Sequence, residues 1–377
     1  MASTTGATGQ GKLAGFHDPE ANAERAIWEE PPRGSAADFS LLRLPGLEQI
    51  RTFVDGRSPE PPIARLTGRR CVEADHGRVV YALPVSDWLV GPKGTLHPGM
   101  IAFLADAPLL AAVQSTLPPG MICTTAEVST TFLGPVSRGD ELRAEAKMIH
   151  ADGATGLSEA TITRSDGRLV GHATSRVFVF PPVELEDSEH VPTPEAEPEY
   201  DEPDPYLRPV TGGTLTSLGL SELSGLELLQ LQLAGTLPRP PVDQLTGLRI
   251  VAAEDGKTEF ALRTHGWCTN ETGTLFGGMI ALLAASSGSA AVQTIAPAGT
   301  AFKALDMKLN LIRPVTPDGT DLKALSVVIH RGRQLAIAVT EVIDSRGKRV
   351  AVATGTTMLG SAADAEQDPA GVPFESA

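Results

Sequence analysis

The chain has no excess of basic residues: 31 Lys and Arg stand against 46 Asp and Glu, for a net charge of −15. This removes the electrostatic footprint of a protein that binds nucleic acid or an anionic membrane. Nowhere does an apolar run reach the ~18 uninterrupted residues that suggest a membrane span. Residues 1–15 contain no apolar core of the kind a secretion signal needs, so a cytoplasmic protein is expected. Cysteine is scarce. Cys71, Cys123 and Cys268 are odd in number and scattered, which excludes a disulfide framework and any metal-ligand spacing. All three read as buried, inert thiols, and neither a metal nor a cofactor is expected.

What the sequence does contain is a repeat. The 377 residues suffice for two domains, and a shift of about 179 positions brings the two halves into register. Leu44-Pro-Gly-Leu-Glu48 matches Leu223-Ser-Gly-Leu-Glu227, and Leu66-Thr-Gly68 matches Leu245-Thr-Gly247. Trp88 matches Trp267, Gly99-Met-Ile-Ala102 matches Gly278-Met-Ile-Ala281, and Pro135-Val136 matches Pro314-Val315. After one extra residue near Asp318, Ile149-His150 matches Ile329-His330. Chance does not hold Trp, Gly and Pro in step over such a distance.

The pattern implies a tail at 1–38, a first domain at 39–180, a linker at 181–213, a second domain at 214–360 and a tail at 361–377. The linker is rich in Glu, Asp and Pro, with no Lys or Arg between Arg176 and Arg208. Such a run repels itself and should be extended. Gly6-Ala-Thr-Gly-Gln-Gly-Lys12 imitates a phosphate-binding loop, but Leu13 stands where Ser or Thr is needed and no strand precedes it.

Within one repeat, Leu41–Phe53 and its counterpart Leu220–Leu233 read as helices. Residues 68–74 and 78–84 read as strands hinged on Asp75-His-Gly77. Gly99–Gln114 is apolar nearly all round, as a buried helix is, although Pro108 should kink it. Four strands follow, at 122–133, 141–150, 156–164 and 168–180. In the second of them Leu142, Ala144, Ala146 and Met148 alternate with Arg143, Glu145 and Lys147, the mark of a half-buried antiparallel strand. The class is α+β: two tandem units, each an antiparallel sheet wrapped around one helix.

Gly94-Thr-Leu-His-Pro-Gly-Met100 and Gly273-Thr-Leu-Phe-Gly-Gly-Met279 resemble the hotdog acyl-CoA thioesterases of the phenylacetate-degradation type. That family's motif reads Asn-x-x-Gly-x-x-His-Gly-Gly, six residues, then Asp, with a Ser or Thr on the strand after the helix. The resemblance spans roughly residues 40–180 and 215–360. It implies that Asn and the first motif Gly polarise a thioester carbonyl, while Asp and Ser/Thr handle the attacking water. Repeat one retains His97, Asp106 and Thr125 but has Gly91 and Pro98 in the Asn and Gly positions. Repeat two retains Asn270 and Gly277 but has Phe276, Ala285 and Ala304 in place of His, Asp and Ser/Thr.

These losses are complementary. Pro98 and Asp106 are eight residues apart on one helix, ~12 Å of axial rise, so a single carbonyl cannot touch both places. Each site must therefore be shared by two units across a pseudo-two-fold axis, with the central helices antiparallel. One pairing joins Asp106 and Thr125 to Asn270 and Gly277 and is complete; the other joins Ala285 and Ala304 to Gly91 and Pro98 and is empty. Pro98 has no N–H to donate.

The implied reaction is hydrolysis of an acyl-CoA or aryl-CoA thioester, with Asp106, Thr125, Asn270 and Gly277 catalytic. His97 and Gly278 are candidates for substrate contact, although His97 also reads as structural, its twin being Phe276. Arg331 and Arg333 are candidates for the phosphates of coenzyme A. The competing reading is a non-catalytic acyl-CoA-binding or scaffold protein; a hydratase of the same fold has no supporting motif. Chains that are already pseudo-dimers are expected to associate further into homo-oligomers.

Overall fold

The structure, a computed structural model, describes residues 26–184, 200–210 and 222–361. The imitation phosphate loop, the 361–377 tail beyond Ser361 and most of the acidic linker lie outside these residues.

Repeat one runs α1 (Gly46–Val54), α2 (Pro62–Thr67), β1 (Arg70–Asp75), β2 (Arg78–Pro84), α3 (Gly99–Gln114), β3 (Cys123–Phe132), β4 (Glu141–Ala151), β5 (Thr155–Arg164) and β6 (Leu169–Val179). Repeat two follows the same order with α4 (Gly225–Leu233), α5 (Pro241–Thr246), β7 (Leu248–Glu254), β8 (Lys257–Arg263), α6 (Gly277–Thr294), β9 (Thr300–Leu311), β10 (Asp321–Arg331), β11 (Leu335–Ile343) and β12 (Arg349–Ser361). All twelve strands form one antiparallel sheet in the order β1-β2-β4-β5-β6-β3-β9-β12-β11-β10-β8-β7. The order reads as one hotdog unit followed by its mirror. The seam is the β3–β9 pair, where Val128 faces Leu309 and Thr130 faces Met307.

The alternation in β4 does what its period demands. Leu142, Ala144 and Ala146 are buried, while Arg143 and Glu145 point outward and pair with Glu73 and Arg78 of β1 and β2. α3 and α6 lie in the hollow of the sheet and are buried nearly all round. They are antiparallel: Gly99 abuts Ala285 and Phe103 abuts Gly278. α3 passes through Pro108 as one helix.

Three expectations are corrected. The helix expected at 41–53 is split into a 3₁₀ turn, Phe39–Arg43, and α1, because Pro45 is extended and serves as the N-cap. The described part of the second, residues 222–233, is helical only from Gly225, where Ser224 and Glu227 form a capping box. The short helices α2 and α5 were not foreseen; each opens with a proline and stops at a left-handed glycine, Gly68 or Gly247.

Segments expected to be loose are packed. Trp267 Nε1 donates to Glu30 O at 2.9 Å, and its repeat-mate Trp88 donates to Arg208 O at 2.9 Å. Arg208 and Glu30 then pair at 2.7 Å, and Arg33 meets Asp204 at 3.4 Å. The two tryptophans thus tie down residues ahead of repeat one and the end of the linker. Both have an indole N–H that burial obliges to find an acceptor. Among the described residues, no helix is long and apolar enough to cross a membrane.

Candidate active site

Asp106 is carried in the middle of α3 and is 6% exposed. Its Oδ1 accepts a hydrogen bond of 2.9 Å from Thr125 Oγ1 of β3. Thr125 stands at a β-bulge, where the pairing with β6 slips between Thr125 and Glu127. The extra residue re-aims the strand and leaves the hydroxyl facing the carboxylate. β9 keeps the same bulge between Ala304 and Asp306, although Ala304 has no hydroxyl to aim.

The other side of the carboxylate is the N-terminus of α6, from repeat two. Asp106 Oδ2 lies only 2.6 Å from where a Cβ on Gly277 would stand. Gly278 is as tightly constrained, since its Cβ would come within 2.7 Å of Phe103 O. Only glycine permits this approach of two helices. The Gly278 N–H is close enough to the Asp106 carboxylate to lower its pKa, and the positive end of the α6 dipole points the same way. Burial pushes the Asp106 carboxyl up to about 6, against the Thr125 hydrogen bond and the Arg69 charge, which pull it down.

Asn270 sits in the turn that leads into α6. Its Oδ1 accepts from the N–H and hydroxyl of Thr272 (3.0 and 2.9 Å) and of Thr274 (3.1 and 3.2 Å). The amide orientation follows from these four donors, and the side-chain NH₂ remains available as a donor.

Two residues that the sequence reading missed complete the surroundings. Arg69, from the loop ahead of β1, is 1% exposed and donates from Nη2 to Glu271 Oε1 at 2.8 Å. Its guanidinium lies over Tyr81 and Phe276, 5.1 and 4.6 Å from the ring centroids. The clue was in the register: after the matched Leu-Thr-Gly triplets, Arg69 stands opposite Leu248.

The mirror position is different. Pro98 and Gly99 face Ala285, and a cavity of ≈ 20 Å³ there, room for about one water, is lined by residues including Pro98, Ala285, Ala304 and Thr340. His97 belongs to this side, contrary to its expected place beside the substrate. Its Nδ1 accepts from the Gly99 N–H at 3.0 Å, and its Nε2 faces Ser286 Oγ at 3.3 Å. Burial pushes it down to about 4, so it is a neutral helix cap at neutral pH. In repeat two Phe276 stands at the corresponding position and packs edge-on against Phe103 at 4.9 Å.

Arg331 and Arg333, the candidates for coenzyme A phosphates, lie at the other end of α6. Arg331 Nη2 donates to Ile295 O, at the C-terminal end of α6, and both arginines line a surface cleft with Pro297 and Thr300. Eighteen residues of helix, ~27 Å of rise, separate that end from Gly277. Cys71 and Cys268 are buried, whereas Cys123, expected to be buried, is only half-buried; burial pushes each thiol up to about 12. Among the described residues, no cluster of His, Cys, Asp and Glu could hold a metal ion.

An inter-repeat carboxylate set against a helix N-terminus, inside a doubled hotdog, defines the class as a tandem hotdog protein. The model of the thioesterase superfamily matches residues 93–171 and 272–351, once in each repeat. Among solved structures, acyl-CoA thioesterase II TesB2 from Mycobacterium marinum is 13% identical, matching 82% of this chain and 98% of its own with a TM-score of 0.48. A mutant of phenylacetic acid degradation protein PaaI from Thermus thermophilus is 28% identical, matching 31% of this chain and 97% of its own with a TM-score of 0.29. The PaaI protein of E. coli is 23% identical, matching 32% of this chain and 84% of its own with a TM-score of 0.30. No curated protein matches the chain.

Proposed function

We propose that the chain hydrolyses an acyl-CoA or aryl-CoA thioester at one composite site between its repeats. The observation that carries this reading is the placement of Asp106. It is held by Thr125 of its own repeat and pressed against Gly277 and Gly278 of the other. In the mirror position Ala285, Ala304 and Pro98 replace Asp106, Thr125 and Gly277, and of this set only the counterpart of Gly278, Gly99, is kept.

The thioester carbonyl enters at the α6 N-terminus, where the Gly277 N–H and the Asn270 amide donate to its oxygen. Each such donor is worth ~3–4 kcal/mol when the oxyanion forms. Ionised Asp106 takes a proton from water, or attacks the carbonyl carbon itself, and Thr125 orients it. Coenzyme A leaves as the thiol once protonated.

The test is release of free coenzyme A over a panel of short, long and aromatic acyl-CoAs, with Asp106→Asn as the control. Turnover by wild type that the variant lacks supports the reading. Tight binding without turnover would favour an acyl-CoA-binding protein instead.

We place the protein in the cytoplasm and expect homo-oligomers of the double-hotdog chain. Supporting the latter, the outer face of β10 exposes Leu325, Val327 and Ile329, where repeat one has Glu145, Lys147 and Ile149. Light scattering showing only monomers would remove the oligomer from the scheme.

A further inference from the structure

Arg69 is buried in apolar surroundings, where a cation is tolerated only if it is paired. Its partner comes from the other repeat, 202 residues away in sequence. Glu271 directly follows Asn270, and Phe276, under the guanidinium, directly precedes Gly277. One side chain therefore grips both ends of the turn that presents the carbonyl-binding donors. Its Nε and Nη1 have no protein partner among the described residues, so its hydrogen bonding to protein is spent on that turn alone.

The mirror site has nothing comparable. The counterparts of Arg69, Tyr81 and Glu271 are Leu248, Phe260 and Pro92. The turn of repeat one, Gly91 to His97, nevertheless closes with the same backbone hydrogen bonds: Gly91 N–H to Thr95 O and Asn270 N–H to Thr274 O, at 2.9 Å in both. Folding of the turn does not require an arginine. What distinguishes the gripped turn is that it faces Asp106.

The groups facing that carboxylate are the Thr125 hydroxyl from β3, the Gly278 N–H from α6, Arg69 from ahead of β1 and Glu271 from ahead of α6. Around Arg69 itself stand Tyr81, Cys71 and Glu60. Burial pushes Tyr81 well up and Cys71 to about 12, so neither is charged at working pH.

We infer that Arg69 and Glu271 are an inter-repeat positioning pair that holds the Asn270–Gly277 turn against Asp106. The catalytic consequence rests on the function proposed above; the effect on the Asp106 carboxylate does not.

The experiment compares full-length wild type with Arg69→Leu, Arg69→Lys and Glu271→Gln. It reads the pH dependence of kcat/KM and, independently, titrates the Asp106 carboxyl by carbon NMR. Removing the cation should move the acid limb of the profile to higher pH. Between pH 8.5 and pH 5.5 the rate of Arg69→Leu should fall about 7-fold more than that of wild type, the effect of moving the limb by about one pH unit. Glu271→Gln should move the limb to lower pH. Arg69→Lys keeps the charge and should leave the limb in place, but loses the planar fork and with it part of kcat. A purely structural pair would shift nothing, or shift both variants the same way, and either result overturns the inference. Should Arg69→Leu fail to fold, Glu271→Gln and Arg69→Lys still decide the matter. Opposite NMR shifts in a chain that cleaves no thioester would leave the pair standing and remove the proposed function alone.

Discussion

Asp106 of repeat one touches Gly277 of repeat two so closely that a Cβ on the glycine would stand 2.6 Å from the carboxylate oxygen. In the proposed reaction this contact joins the half that handles water to the half that handles the carbonyl. It also makes the site sensitive to a single methyl group.

Gly277→Ala should therefore be damaging beyond its size. The new methyl would also meet Asp106 Cγ and Leu311 Cδ1 at 3.3 Å, so the helices must part or the carboxylate must turn. The expected cost is about 1–3 kcal/mol of stability, with a loss of activity of ~100-fold or more, since a shift of ~1 Å is enough for that. Thermal unfolding and coenzyme A release check both. Full activity would mean that the carboxylate does not work from this position.

Asp106→Asn should abolish hydrolysis while stabilising the protein at alkaline pH. Burial raises the folded-state carboxyl to about 6 from an ordinary 3.8. A raised value favours the protonated form, so its stabilising share is present below pH ~4 and is lost as pH rises through about 6. Above that, wild type bears a strain on the order of 3 kcal/mol that the amide relieves. Denaturant unfolding at pH 8 should show the variant more stable, and at pH 4 the difference should be gone. In wild type, activity should fall as pH drops through about 6, because the carboxylate must be ionised to act.

Asn270→Asp separates turn from chemistry. The carboxylate can still accept from Thr272 and Thr274, so the melting temperature should hold. It cannot donate to a carbonyl oxygen, so kcat should fall by ~100-fold or more. If activity survives, Asn270 serves only its turn.

Ala285→Asp should not create a second site. Ala285 faces Gly99 and Pro98, and Pro98 has no N–H to offer a carbonyl. The substitution buries a carboxyl without the hydroxyl that Thr125 supplies in the complete site, at a cost of roughly 1–3 kcal/mol. Doubled turnover would end the single-site reading.

The repeat, the hotdog units and the division of motif residues between them were all legible in the sequence. Periodicity and register are properties of neighbouring residues, and duplication exposes them twice. The contact between Asp106 and the other repeat could also be anticipated, because the rise of a helix forbids Pro98 and Asp106 from serving one carbonyl. Tertiary structure decided the rest. It moved His97 to the empty side as a neutral helix cap and left Arg331 and Arg333 at the far end of α6. It packed residues 26–38 and 200–210 onto the two tryptophans, and brought Arg69 to Glu271 across 202 positions. These are long-range pairings of charge and of indole N–H groups. They depend on which buried donor can reach which acceptor once the sheet has closed, and no local pattern along the chain records that.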